Sequence, residues 1–323
     1  MPAFTRNRQG FESVTRAAPA AKEINTDTEG VKREAYFVIS IAMTTYNGAQ
    51  YAAEQLRSIL EQTQPADEII ICDDGSKDDT VEIIRNVIGE YKTDRVQLIV
   101  NEQNQGYIAN FHKAISLTHG DFIFLADQDD VWHCDKIEKT MAVMEKTGAA
   151  AICTKSRLID GDGQEISNTA YLISVFLAKL STELGRISFR DLVIENVAQG
   201  CTYCFTKEVK QWYLRVNSSH LVHDYQILLI ASLIGDVYAY NQALIDYRIH
   251  DKNSVGLQKV GEKRSLNWRN LKKTPERVLF LEDLNREMNV PHFHFYKLVI
   301  YLRISRIIAV WNRRRLSRHM KNT

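Results

Sequence analysis

The chain has 323 residues, of which 45% are hydrophobic and 25% are charged. This balance is typical of a globular protein that buries a sizeable core, in one large domain or two ordinary ones. The formal net charge of +1 argues against a protein that binds nucleic acid through a globally basic surface, and we expect no nucleic-acid partner.

The first 35 residues are polar and mixed in charge, without the apolar stretch that forms the centre of a signal peptide. We expect residues 1–35 to be a flexible polar tail. The five cysteines are an odd number, and most lie within apolar runs. This pattern predicts reduced, buried thiols in a cytoplasmic protein, with Cys201 and Cys204 as packing residues rather than a zinc or redox pair.

Apolar runs alternate with helically spaced segments over the first half of the chain. The runs fit buried strands, and the segments between them are amphipathic and end at Pro, Gly or Asp. The predicted order is a strand ending near Thr44, helix 49–62, strand 68–73, a helix capped by Asp78, strand 95–102, helix 106–118, strand 121–126, helix 135–147 and strand 148–154. This alternation predicts an α/β fold with a Rossmann-like, doubly wound and mostly parallel sheet.

The alternation weakens after residue 150. Residues 159–163 fit a hairpin turn, and residues 189–209 fit a short helix, a loop, a strand and the start of a helix. Residues 222–250 fit a helix followed by two short strands or extended runs. We expect this half to complete the sheet and to form the second wall of a cleft.

Four polar segments follow the predicted strands directly. They are TTYNG at 44–48, DDGSKDD at 73–79, NEQNQG at 101–106 and DQDD at 127–130. Ligands of doubly wound sheets bind outside the carboxyl ends of the strands. The sequence therefore predicts a polar site along one edge of the sheet.

The DQDD segment has the highest charge density of the four. Its three carboxylates repel one another unless a positive charge lies among them. Asp127 and Asp129 can bring oxygen ligands to Mg²⁺ or Mn²⁺, and the alternative is a solvated acidic turn. Asp130 best fits a helix cap or a solvated turn.

Three further candidates each keep an alternative. Asp73 or Asp74 can bond a ribose hydroxyl or a base nitrogen, or can simply form an Asp-Gly turn. Asp224 can act as a general base or as a helix cap, and His250 can be a third metal ligand or a structural histidine. Neither a G-x-G-x-x-G motif after the first strand nor a P-loop motif is present, so those nucleotide sites are not supported.

The order of these motifs carries a family resemblance. VISIAMTTYNG, DDGSKDDT, NQGYIANFHKAI, DFIFLADQDDVWHCDKI, GCT, HDYQILLIASLIG and YRIHDKNSVG together resemble the family 2 glycosyltransferases over residues 36–256. More narrowly, they are similar to rhamnosyltransferase-like enzymes of bacterial O-antigen and surface polysaccharide synthesis. The resemblance implies a GT-A domain over residues 36–258. It also implies inverting transfer of a sugar from a nucleotide diphosphate donor to an acceptor hydroxyl.

The resemblance also implies roles for individual residues. It makes Asp224 the general base, Asp129 the direct ligand of a divalent cation (Mg²⁺ or Mn²⁺), and His250 a further contact to metal or pyrophosphate. The implied donor-binding residues are Thr44, Tyr46, Asp73 and Asp127, the last also a metal ligand. Relatives often carry Trp where this chain has Tyr225, and the residue there is expected to touch acceptor or sugar.

The implied donor is a dTDP-sugar, with dTDP-rhamnose first, or a UDP-sugar, and the implied acceptor is a saccharide or a lipid-linked saccharide. Two other functions stay open. One is a nucleotidyltransferase that makes sugar nucleotides, although such enzymes usually carry a Gly-rich basic loop where this chain has TTYNGAQ. The other is a non-catalytic, membrane-associated relative that only binds nucleotide sugar.

Residues 259–323 form a basic segment, predicted to be a helical C-terminal extension. They contain 16 Lys and Arg against 5 Asp and Glu, which leaves 25 against 35 in the rest of the chain. Apolar residues from Leu298 onward are spaced along one helical face, with basic residues beside them. Residues 290–323 therefore predict peripheral contact with the anionic inner face of the plasma membrane, and a helical subdomain on the body or a dimer contact are the alternatives.

Overall fold

Strands and helices alternate through the first half of the protein, in a computed structural model that describes residues 37–167, 177, 179–251, 253 and 268–300. Every residue of the first strand is buried, as expected for a strand covered on both faces. The elements are β1 Ile39–Thr45, α1 Ala52–Leu60, β2 Glu68–Asp73, α2 Thr80–Tyr91, β3 Val96–Val100, α3 Tyr107–Leu117, β4 Phe122–Ala126, β5 Val131–Trp132 and α4 Lys136–Thr147.

The second half mixes shorter elements with one long strand. Helical backbone also covers residues 293–300. The elements are β6 Ala151–Ile159, β7 Leu184–Ile187, α5 Phe189–Ile194, a 3₁₀ turn Gly200–Thr202, β8 Tyr203–Thr206, α6 Lys207–Val216, α7 His223–Ile234, β9 Val237–Arg248 and α8 Trp268–Met288.

In the described residues the strands form one sheet in the order β3-β2-β1-β4-β8-β6-β9-β5, with β7 paired to β9. The first four strands of that order are parallel, and this confirms the predicted α/β fold. β8 lies between β4 and β6 and is antiparallel to both. The predicted strand at 148–154 is therefore not a neighbour of β4.

One long strand replaces the two short strands expected after α7. β9 has 12 residues and pairs with β6, β5 and β7 at different points along its length. Its register with β6 shifts twice, near Thr154 and Lys155. Such irregularities let one strand bend between partners, and the apolar pattern of the sequence does not reveal them.

The polar segments that follow β1, β2 and β4 lie at the same edge of the sheet. Thr45 near the end of β1 pairs with Asp73 at the end of β2, and Met43 pairs with Ala126 at the end of β4. Parallel pairing in this register brings residues 44–48, 73–79 and 127–130 side by side. The structure therefore confirms, for these three segments, the polar edge predicted from the sequence.

Two hydrophobic cores cover the two faces of the sheet. Successive residues of a strand point to opposite faces. Ala42 accordingly packs with α3, α6 and α7, whereas Ile41 and Met43 pack with α1, α2 and α4. The first of these cores extends onto α8, where four apolar side chains are buried: Val278, Phe280, Leu281 and Leu284.

Helix α8 thus packs on the α/β domain, which is one of the arrangements considered for the C-terminal segment. The tail at residues 1–35 and the segment 301–323 lie outside the described residues. No helix in the described part of the chain is both long and apolar enough to span a bilayer.

Packing of α8 predicts different costs for two leucines on the same helix. Leu284 is fully buried and Leu279 is 41% exposed. Leu284→Ala should lower the free energy of unfolding by about 2–4 kcal/mol because it leaves a cavity in the core. Leu279→Ala, the matched control, should change it by about 0.5 kcal/mol or less. Urea denaturation followed by circular dichroism measures both, and equal costs would contradict the packing.

Candidate active site

A cavity of about 460 Å³ lies at the polar edge of the sheet. The residues that line it come from widely separated parts of the sequence, between Thr44 and Asn253. Five of the residues predicted from the sequence line it: Thr44, Tyr46, Asp127, Asp129 and Asp224. The other two, Asp73 and His250, do not line it, although each contacts a segment that does.

Tyr46 and the acidic turn are joined by a pair of reciprocal hydrogen bonds. The backbone N–H of Tyr46 donates to Gln128 Oε1 at 2.7 Å, and Gln128 Nε2 donates to the Tyr46 carbonyl at 3.1 Å. A Cβ on Gly48 would lie 2.2 Å from Gln128 Oε1, so a side chain there would displace this amide. The middle residue of D-Q-D therefore fixes the segment that carries the exposed Tyr46 ring.

Asp73 and its neighbour Asp74 have different roles in the DDGS turn. Asp73 is buried, and its carboxylate accepts hydrogen bonds from Thr45 Oγ1, from the N–H groups of Gly75 and Ser76, and from Ser76 Oγ. Its oxygens thus hold the turn together. Asp74 is the carboxylate of this pair that lines the cavity, and it also anchors the segment 101–106.

In the acidic turn after β4, Asp130 is buried, and Asp127, Gln128 and Asp129 are partly buried. Burial is the main cause that raises the pKa of Asp127, to about 7, with the negative charge of Asp129 next. Burial likewise raises the pKa of Asp130 well above its usual value. Asp130 is only 1% exposed. The interpretation of Asp130 as a helix cap or solvated turn is wrong.

Two cations that the sequence analysis missed lie against this turn. Lys136 is fully buried, with its ammonium 3.8 Å from the Trp132 ring centre and donating to the Cys201 carbonyl at 2.6 Å. Burial lowers the pKa of Lys136 to about 8, although Asp130 and Asp127 oppose that shift. The closeness of Lys136 to Asp130 in sequence, six residues, could have suggested this cation. The sequence does not show, however, that the Lys136 side chain points into the core.

Arg248 is the second cation, and it ties β9 to the acidic turn. Its backbone N–H donates to Asp130 Oδ1 at 3.1 Å, and its Nε donates to the Asp129 carbonyl at 2.8 Å. The far end of the guanidinium pairs with Glu54 on α1 at 2.6 Å and lies over the Tyr51 ring. The turn is therefore held between the first helix and the last strand of the sheet.

His250 reaches the acidic turn just beyond the end of β9. Its Nε2 lies 3.0 Å from Asp129 Oδ2, and Asn253 Nδ2 donates to the same oxygen at 3.2 Å. The carbonyl of the Asn253 side chain accepts from the His250 backbone N–H at 2.7 Å. Asn253, which sequence reasoning did not single out, thus holds His250 beside Asp129.

The donor set of this edge fits a hard divalent cation. Asp127 and Asp129 offer carboxylate oxygens to the cavity, and His250 is adjacent to Asp129. Among the described residues, the close cluster of ligand types is Asp127, Asp130 and the Cys201 sulfur. The Cys201 sulfur is a soft ligand, whereas Mg²⁺ and Mn²⁺ prefer oxygen ligands, and burial raises the pKa of this thiol well above its usual value.

Asp224 faces the acidic turn from the other wall of the cavity. It lies in the first turn of α7, where a helix favours negative charge. Its carboxylate accepts from the N–H of Tyr225 at 2.6 Å and from Asn196 Nδ2 at 3.0 Å. The charge of Asp224 contributes to the raised pKa of Asp127, which shows that the two carboxylates share one electrostatic environment.

His223 and Tyr225, the neighbours of Asp224, are both buried. The His223 ring stacks on Phe111 with centres 4.0 Å apart, and its Nδ1 has no hydrogen-bond partner within the part of the chain that the structure describes. The Tyr225 hydroxyl donates to the Leu192 carbonyl, and Tyr225 does not line the cavity. The expectation that residue 225 touches acceptor or sugar is therefore wrong, because its side chain belongs to the core.

Residues 40–206, just over half of the chain, match the family model described as Glycosyl transferase family 2. The chain belongs to this family. It is 26% identical over 200 residues to the Escherichia coli protein WfgD, named UDP-Glc:alpha-D-GlcNAc-diphosphoundecaprenol beta-1,3-glucosyltransferase, covering 62% of this chain and 71% of WfgD.

Two further relatives are similar over most of their length. TuaG of Bacillus subtilis, a putative teichuronic acid biosynthesis glycosyltransferase, is 24% identical over 240 residues, covering 73% of this chain and 85% of TuaG. An uncharacterized glycosyltransferase of Nostoc is 25% identical over 228 residues, which cover 67% of this chain and 66% of the Nostoc protein.

Solved structures confirm the expected GT-A fold. Residues 1–349 of Staphylococcus aureus TarS, in complex with UDP-GlcNAc, superpose with a TM-score of 0.60 at 14% identity, covering 84% of this chain and 72% of that one. A mannosyltransferase of Pyrobaculum calidifontis, in complex with GDP-Man and Mn²⁺, superposes with a TM-score of 0.52 at 15% identity. The superposition covers 83% of this chain and 69% of the mannosyltransferase.

Burial of His223 predicts acid sensitivity with a defined sign. Burial lowers the pKa of this imidazole to about 3, whereas an unfolded histidine binds a proton near pH 6.5. The unfolded state therefore binds more protons below about pH 6.5, so His223 costs stability progressively as the pH falls toward 3. Above pH 6.5 the stability contribution is fully present.

The variant His223→Phe keeps a ring against Phe111 but cannot titrate. Between pH 7 and pH 5 it should lose about 2 kcal/mol less unfolding free energy than the wild-type chain. The exposed His294→Phe should lose the same amount as wild type. Urea titrations at the two pH values measure the difference, and parallel losses in all three proteins would contradict burial of a neutral imidazole.

Proposed function

We propose that the chain is an inverting, divalent-cation-dependent glycosyltransferase of bacterial surface polysaccharide synthesis. The observation that carries the proposal is that Asp224, Asp127 and Asp129 line one cavity. A carboxylate facing a cation site matches the two needs of the reaction. One is a base for the acceptor hydroxyl, and the other is positive charge for the leaving diphosphate.

The donor is a nucleotide sugar bound at the ends of β1 and β2. Tyr46 is 43% exposed at the cavity, so its ring is free to stack on a nucleoside base, and Thr44 lines the cavity beside it. We assign direct contact with the nucleoside to Asp74, and Asp73 supports it through the turn. The ligands UDP-GlcNAc and GDP-Man in the solved relatives support a nucleotide sugar, and dTDP-rhamnose and UDP-sugars stay the donors to test first.

Asp127 and Asp129 would hold Mg²⁺ or Mn²⁺, with His250 beside Asp129. A cation bound there supplies positive charge to the nucleoside diphosphate as its bond to the sugar breaks. Asn253 and Arg248 keep His250 and the Asp129 backbone in place. The Mn²⁺ in the mannosyltransferase structure supports this assignment.

Asp224 removes the proton from the acceptor hydroxyl as that oxygen bonds to the anomeric carbon. The bond between the anomeric carbon and the diphosphate breaks in the same displacement, so the anomeric centre inverts. The neighbouring His223 is a poor choice of base because burial lowers the pKa of its imidazole to about 3.

The acceptor is a saccharide carried on a lipid, and the alpha-D-GlcNAc-diphosphoundecaprenol in the name of WfgD supports this. The helical residues 293–300 expose Phe295 and Leu298 by 51% and 52%. The sequence that follows adds six Arg and one Lys over residues 301–323. This combination supports peripheral contact of residues 290–323 with an anionic membrane surface.

The first test combines a donor panel with one substitution. The full-length chain with Mn²⁺ should release nucleoside diphosphate from one of dTDP-rhamnose, UDP-glucose, UDP-GlcNAc or GDP-mannose. Asp224→Asn should bind that donor normally and lose about 100-fold or more in kcat, the contribution of a general base. Near-normal turnover in the variant would remove Asp224 from this role.

The same panel separates the alternatives. A nucleotidyltransferase would release pyrophosphate when given a nucleoside triphosphate and a sugar phosphate. A non-catalytic relative would bind a donor without releasing nucleoside diphosphate, with or without Mn²⁺. Membership of glycosyl transferase family 2, together with Asp127, Asp129 and Asp224 around one cavity, favours transfer over both.

Membrane contact is tested by flotation with vesicles that contain anionic lipid. The double variant Phe295→Glu/Leu298→Glu should float less than wild type because it places two negative charges on the exposed apolar face. Leu279→Glu is the matched control, since it changes an exposed leucine on α8. Equal flotation of all three proteins, or absence of flotation for wild type, would refute the contact.

A further inference from the structure

We propose that Asn196 is the positioning residue of the base Asp224, with Tyr203 behind it and helix α8 supporting both. The inference rests on the proposed role of Asp224 and deepens it. Asn196 belongs to none of the motifs that carry the family resemblance. It lies in the segment between α5 and the 3₁₀ turn, and it lines the same cavity.

The contact between the two side chains is direct. Asn196 Nδ2 donates to Asp224 Oδ2 at 3.0 Å, and the Tyr225 N–H donates to the other oxygen, Oδ1. An ionised carboxylate can only accept, so the amide nitrogen of Asn196 must be the atom that faces it. Both oxygens of Asp224 therefore have a fixed donor, which sets the rotation of the carboxylate.

Tyr203 holds Asn196 from the opposite side. The Tyr203 hydroxyl is buried within hydrogen-bond distance of two acceptors, the Ala198 carbonyl at 2.7 Å and Asn196 Oδ1 at 3.1 Å. The phenol thus bridges the backbone and the amide of one short segment. Tyr203 belongs to β8, an inner strand of the sheet. The side chain of Asn196 is therefore held by a rigid element.

Helix α8 supports the same segment through Arg277. This guanidinium donates to the Ile194 carbonyl at 3.0 Å, two residues before Asn196. It also lies over the ring of Tyr225, with 5.4 Å to the ring centre, one residue after Asp224. Arg277 therefore contacts the backbone that carries the amide and the residue next to the base.

A neutral amide suits this position for a chemical reason. A hydrogen-bond donor stabilises the ionised carboxylate and fixes its direction, so the base is charged and aimed before the acceptor arrives. A Lys or Arg in the same place would lower the pKa of the carboxylate further and weaken it as a base. Asn196 gives orientation with less loss of basicity.

The kinetic test uses the full chain, Mn²⁺ and the donor that the panel selects. Asn196→Ala should lower kcat by about 10- to 100-fold, part of what a general base contributes, and should change the donor KM by about threefold or less. The acidic limb of the kcat–pH profile should move to higher pH, because the carboxylate loses a donor. Asn241→Ala, outside the cavity, is the substitution control.

The isosteric Asn196→Asp separates positioning from packing. It keeps the size of the side chain and an oxygen toward Tyr203, but it sets a second carboxylate against Asp224. The acidic limb should then move up by about one pH unit or more, because two adjacent carboxylates hold a proton between them. A purely structural role would lower activity without moving the limb.

A charge exchange between residues 196 and 224 tests their contact in the absence of any nucleotide sugar. Measured against wild type at the same pH, Asn196→Asp should lower the Tm by about 4 °C or more beyond its effect at pH 5 when the pH is raised to 8, because a shared proton relieves the repulsion at pH 5. Adding Asp224→Asn should restore the Tm at pH 8, because the pair is then amide and carboxylate again. Activity should not return, since residue 224 no longer holds a carboxylate.

The outcomes distinguish the two proposals. If Asp224→Asn turns over normally, the proposed base is wrong and the role of Asn196 falls with it. If Asp224 is essential but the pH profile of Asn196→Ala matches wild type, only the present inference is overturned. If the double variant does not recover Tm, the two side chains are not paired and the inference is likewise overturned.

Discussion

Repulsion among the three carboxylates that follow β4 is the constraint on which the rest of the site depends. Burying Asp130 beside the partly buried Asp127 and Asp129 is unfavourable unless positive charge accompanies them. The chain places one buried cation near them, the ammonium of Lys136, and fixes the turn through the backbone N–H of Arg248, whose guanidinium pairs with Glu54. Lys136 alone leaves part of the negative charge of the turn unbalanced. The proposed site for a divalent cation follows from this unbalanced charge.

The second half of the sheet places Asp224, the proposed base, in the same cavity as that charge. β8 is inserted antiparallel between β4 and β6, and the segment that precedes it carries Asn196 toward α7. Helix α8 then packs over this wall and reaches it through Arg277. The C-terminal segment therefore has a structural part that supports the catalytic wall and a later part whose exposed apolar residues face outward.

The sequence was informative where an effect is local and less so where it depends on distant partners. Strand and helix order and the polar edge followed from hydrophobic periodicity, and the grouping of Asp127, Asp129 and Asp224 in one site was implied by the family resemblance. The insertion of β8 and the length of β9 did not, because strand pairing is a long-range choice. Asp130 and Tyr225 were misread because nearby sequence does not show that Lys136, Arg248 and Leu192 surround them.

The most direct measurement of the central claim is the affinity for Mn²⁺ with and without nucleotide, by isothermal titration calorimetry of the full chain. If Lys136 already balances part of the negative charge of the acidic turn, the protein alone should bind Mn²⁺ weakly. UDP, or the diphosphate of the donor that the panel selects, should tighten binding by about tenfold or more, since the diphosphate completes the ligand set. Equal affinity in the presence and absence of nucleotide would contradict this account of the acidic turn.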